Sequence, residues 1–134
     1  MKPVLYVALL SVVWPIGGGW KKYHMTNDPT QPAAVGTLNV RRDKNNGNTE
    51  LKLKVEHLAD PARLTPPASV YVVWVQARDG EPQKEGQIRV DKNFSGDMDA
   101  TSTVRDGDFF ITPENTETVT MPSGLQALHT HFSD

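Results

Sequence analysis

The sequence predicts an all-β domain, a two-sheet β-sandwich of about seven strands, and three observations predict it. Val70 to Ala77 is β-branched and aromatic on both alternating sets, Val70/Val72/Trp74 and Tyr71/Val73/Val75/Ala77, so this strand is expected to be covered on both faces. Glu50 to Leu58 alternates strictly, with Leu51, Leu53 and Val55 on one face and Lys52, Lys54 and Glu56 on the other, the pattern of a strand with one face in water. Short strand-like runs separated by turn residues then recur to the C-terminus, with no run of helical period.

The elements follow in chain order. Ala34 to Arg42 reads as a strand, and Asn46-Gly47 turns the chain into Glu50–Leu58, because both residues tolerate positive φ. Ala59 to Pro67 holds three prolines and reads as a loop across an end of the fold. The covered strand, Ser69 to Ala77, ends at the turn residues Asp79-Gly80. Further strands are expected near Glu85–Val90, Met98–Arg105, Asp108–Thr112 and Leu125–Phe132, with turn-rich Asp91–Asp97 between the first two. Trp20 to Pro32 has no period and two prolines, and reads as a linker, so the sandwich is expected over residues 33–134.

Composition narrows the function classes. A chain of 134 residues is sized for one domain, and ten Gly with ten Pro favour turns over long helices. The net charge of -2 argues against nucleic acid as a partner. The absence of cysteine excludes disulfides, thiolate metal sites and a Cys nucleophile. Residues 1–19 are laid out like a signal peptide or membrane anchor: Lys2, an apolar run from Val4 to Trp14, Pro15, and small residues to Gly19. Export to the periplasm or cell exterior is therefore expected, with membrane contact only through this segment if it is retained.

Several runs carry a resemblance to a known family. They are Ala34-Val35-Gly36, Leu58…Pro61 with Leu64-Thr65-Pro66-Pro67, Tyr71-Val72-Val73-Trp74-Val75, Gly80-Glu81-Pro82 with Gly86, Phe109-Phe110-Ile111-Thr112-Pro113-Glu114, and Met121-Pro122-Ser123-Gly124. In that order, from about Ala34 to the C-terminus, the chain resembles the extracytoplasmic C-terminal domain of the anti-sigma-K factor family. The resemblance implies an immunoglobulin-like sandwich outside the cytoplasm, with no catalytic residues and no cofactor. These 134 residues hold no His-Cys-Cys zinc motif and no sigma-binding segment, so control of a sigma factor is not implied. A non-catalytic exported binding or sensing module, with an envelope protein as its partner, is the expected function.

The competing expectation is a metal-binding protein or metal-dependent enzyme using His129 and His131. As residues i and i+2 of a strand they share a face, and they would need a third ligand such as His57 or an acid. Asp91-Lys92-Asn93-Phe94-Ser95-Gly96 places oxygen side chains as in the first half of a calcium loop, but position twelve is Ser102 where that loop needs a Glu, so a polar hairpin is expected instead. No nucleophile elbow, phosphate-cradling loop or His-Glu-x-x-His occurs, and an enzyme is not expected.

Overall fold

The computed structural model describes residues 19–133, and the leader-like segment lies, but for Gly19, outside them. Nine strands are described: β1 (Lys21–His24), β2 (Thr26–Asn27), β3 (Val35–Arg42), β4 (Thr49–Glu56), β5 (Val70–Ala77), β6 (Gln83–Ile88), β7 (Gly96–Ser102), β8 (Asp106–Glu114) and β9 (Leu128–Ser133). They form two antiparallel sheets, β1-β3-β4-β7 and β2-β9-β8-β5-β6. Among the described residues no helix is long and apolar enough to cross a membrane.

Alternation decides which side chains meet between the sheets. The four-stranded sheet turns Leu38 and Val40 of β3 and Leu51, Leu53 and Val55 of β4 inward. They pack on Tyr71, Val73 and Val75 of β5, Phe109 and Ile111 of β8, and Leu128 and Phe132 of β9. Gly36 sits where the sheets approach closely: a Cβ there would come within 2.9 Å of the Met25 sulfur and 3.0 Å of a Leu128 methyl. Gly86 adopts φ +146° where the β5–β6 register slips between Val73 and Trp74, a β-bulge that a side chain would resist.

The connectivity is immunoglobulin-like. Naming β3 to β9 in order as A, B, C, C′, E, F and G, the sheets become A-B-E and C′-C-F-G. That is the constant-domain arrangement with its fourth strand moved to the edge of the other sheet. The hairpin at Asn46-Gly47 forms as its sequence demands, with Gly47 at φ +74° and the Asp43 N–H donating to the Asn48 carbonyl at 2.8 Å.

The segment read as a linker, 20–32, is instead part of the sandwich. Its first half pairs with β3 (Lys21↔Val40, Tyr23↔Leu38), and Thr26-Asn27 crosses to pair with β9. Tyr23 donates its hydroxyl to the Ser133 carbonyl (2.6 Å), tying the two sheets together. Trp20 lies on the outer face beneath Arg41 and Lys52, whose charges sit 4.4 and 5.3 Å from its ring centre. Alternating polar and apolar letters are too few here to reveal a strand of four residues. The pairing comes from the neighbours it meets.

Candidate functional site

Two long loops, 57–69 between β4 and β5 and 115–127 between β8 and β9, stand at one end of the sandwich. In immunoglobulin terms they are the B–C and F–G loops, which in variable domains form the recognition surface. With the β2–β3 connection and the β6–β7 turn they enclose an open cleft of about 820 Å³, within the range of ligand sites. Leu64, Pro66, Pro67, Phe94, Leu125 and Ala127 are among its apolar lining. Phe94 is 42% exposed and Leu125 66%, so both large apolar side chains are open to a partner. Asp28, Asp60, Arg63 and Asn115 supply polar groups at the rim.

Side chains beneath the cleft hold these loops together. The buried Gln31 donates from Nε2 to the Tyr71 hydroxyl (3.2 Å), and its Oε1 accepts the Ala59 N–H (2.9 Å). Tyr71 completes the ring by donating its hydroxyl to the Ala59 carbonyl at 2.5 Å. Burial holds the Tyr71 phenol above its ordinary pKa, so it stays a neutral donor. The Leu58 N–H donates to the Phe94 carbonyl (3.1 Å), and the Asp28 N–H to the Ala127 carbonyl (3.0 Å), so each lining segment is tied to another. Asp60 caps the 3₁₀ turn Pro61–Arg63 by accepting the Ala62 N–H. Hydrogen bonds from Thr30 to the Asp28 carboxylate hold its pKa below the usual value, keeping it anionic at the rim.

The F–G loop has an anchor of its own. It folds back over the outer face of β5 and β8, where Trp74, Val72 and Phe110 form a second apolar cluster with Val119 from the loop. Both faces of β5 are therefore covered, as its composition requires. Polar groups run in a chain from the buried layer to the loop: Trp74 Nε1–H donates to Thr112 (2.8 Å), the Thr112 hydroxyl to Glu114 Oε2 (2.6 Å), and the Ser123 N–H and hydroxyl to the same carboxylate (3.1 and 2.5 Å). Lys84 Nζ donates to the carbonyls of Glu117 and Val119 further along the loop. The runs Phe109–Glu114 and Met121–Gly124, separate in the sequence, meet through this carboxylate next to Leu125 of the cleft.

The histidines sit elsewhere. His129 and His131 do share the outer face of β9, but the nearest acids engage only one of them. His131 Nδ1 lies 3.0 Å from Asp108 and its Nε2 2.8 Å from Asp106. Both nitrogens face carboxylates, an arrangement that favours the protonated ring. The bond to Asp108 raises its pKa, with the Asp106 charge adding to it. The nearest partners of His131 are thus two acids of β8. Among the described residues no three His, Asp or Glu side chains converge as a metal site. His57, weighed as the third ligand, is at the cleft rim with φ +57°. His24, read in the linker, lies on β1. Asp91 spends one carboxylate oxygen on the Asn93 and Ser95 N–H groups (2.8 and 3.1 Å), which makes 91–95 a self-closed turn.

Sequence reading missed the cleft. Its signal was present in two large apolar residues set among turn residues, Phe94 and Leu125, each next to a residue a core strand would not carry. No family model and no curated protein matches this chain.

Proposed function

We propose that this chain is an exported, non-catalytic binding module, in the manner of the anti-sigma-K outer domain that its sequence resembles, and that the loop-end cleft receives an apolar segment of an envelope protein. The observation that carries this reading is the cleft itself: exposed Phe94 and Leu125 both line it, on loops already tied by Gln31, Tyr71 and Glu114. A site fixed before binding spends little entropy on ordering, and its apolar centre with a polar rim suits a protein partner. Direction supports the same reading. Lys21 pairs with Val40 near the far end of β3, so the first described strand begins at the end opposite the cleft. An anchor there would present the cleft outward.

The test is isolation of complexes from the native envelope with wild type and with Phe94→Asp/Leu125→Asp. Both side chains are exposed, so the variant should keep its melting temperature within a few degrees. A partner recovered with wild type and lost with the variant is the expected result. Equal recovery with both would refute the cleft as the binding site.

A further inference from the structure

We propose that copies of this chain join side by side, the basic edge of one four-stranded sheet laid along the acidic edge of the next. The edges of that sheet are β1, Lys21-Lys22-Tyr23-His24, and β7, Gly96-Asp97-Met98-Asp99-Ala100-Thr101-Ser102. One edge carries cationic and imidazole side chains, and the other carries acids alone. Among the described residues no ion pair engages Lys22, Asp97 or Asp99.

The register supports the match. Successive pairings run Lys22–Asn39–Lys52–Asp99 across the outer face, and His24–Thr37–Lys54–Asp97 beside it. Each row begins with a base at one edge and ends with an acid at the other. Every neighbouring pair in the sheet is antiparallel, so β1 and β7 run in opposite directions. A second copy displaced sideways therefore sets its β1 antiparallel to this β7 and continues the alternation. Aligning the rows places Lys22 beside Asp99 and His24 beside Asp97. On the inner side it places Tyr23 beside Met98, both partly buried apolar residues at the margin of the core. Backbone pairing at the edge supplies adhesion, and the charges supply selection. Two β1 edges would oppose Lys to Lys and two β7 edges Asp to Asp, so the signs reject isologous dimers and leave only head-to-tail contact. Such a contact uses different patches on each copy and extends as an open row.

Sedimentation velocity of the full chain over a concentration series tests this, at about 50 mM and about 500 mM salt, where screening of exposed pairs differs strongly. Wild type should form species larger than a monomer that grow with concentration, and association should weaken by roughly tenfold in the higher salt. Lys21→Glu/Lys22→Glu makes both edges acidic and Asp97→Lys/Asp99→Lys makes both basic, so each should remain monomeric. Mixed in equal amounts, they should associate again, because each then offers the other a complementary edge. Asp97→Asn/Asp99→Asn, which sets no new charge against Lys52 and Lys54, should also be monomeric and carries the test if the lysine variant does not fold. A monomeric wild type, association of the asparagine variant at wild-type strength, or failure of two folded charge variants to associate when mixed would overturn the proposal.

Discussion

Glu114 shows how one residue connects core, loop and cleft. Its carboxylate is buried and takes hydrogen bonds from Thr112 and Ser123, so Glu114→Ala leaves several donors without partners. Each lost partner costs about 1–3 kcal/mol, and a drop in unfolding free energy of at least about 2 kcal/mol is expected in a denaturant titration. Glu114→Gln, which keeps the shape, should lose less. Trp74 stands under the same loop, and Trp74→Ala should cost about 3–5 kcal/mol by opening a cavity below Val119. His131 gives a pH signature. Its folded pKa is raised by Asp108 and Asp106, so the stability it contributes is complete below the unfolded value near about 6.5 and is lost as pH rises through the folded value. An NMR titration of the imidazole should give a midpoint above that of a free histidine, and Asp108→Asn should bring it down. A midpoint that ignores Asp108→Asn would show that the contact does not form in solution.

At the scale of elements, the first two strands carry the sharpest prediction. Tyr23→Phe removes the hydroxyl that bonds to Ser133 and should destabilise the domain by about 1 kcal/mol, whereas a residue in a linker would cost nothing. The comparison also shows what was legible in the sequence. Alternation in Thr49–Glu56 and the doubly apolar Val70–Ala77 were plain, because each strand states its own burial in its side chains. The Asn46-Gly47 hairpin was plain for the same local reason. Lys21–His24 was not, since its strand character depends on Leu38 and Ser133, which lie far along the chain. The cleft was hidden in the same way: Phe94, Leu125 and Pro66 come from three separate loops, and nothing local marks them as neighbours. His129 and His131 were legible as a shared face, but the acids that occupy His131 lie on β8 and follow only from the β8–β9 register.

The whole molecule has two ends and two charged edges, and each suggests a different use. The cleft lies at the B–C and F–G end, β1 begins at the opposite end, and the edges β1 and β7 flank the axis between them. Lateral rows built through those edges would leave every cleft facing the same way, so head-to-tail association and binding at the loop end are compatible. The proposal that the cleft is the binding site is tested most directly by photocrosslinking in the native envelope. A photoreactive residue would be placed at Phe94, at Leu125 and, as a control on the outer face of the other sheet, at Thr37. Discrete adducts with one envelope protein are expected from both cleft positions, and none of that mass from position 37. Adducts from position 37 alone, or no adduct from either cleft position, would contradict it.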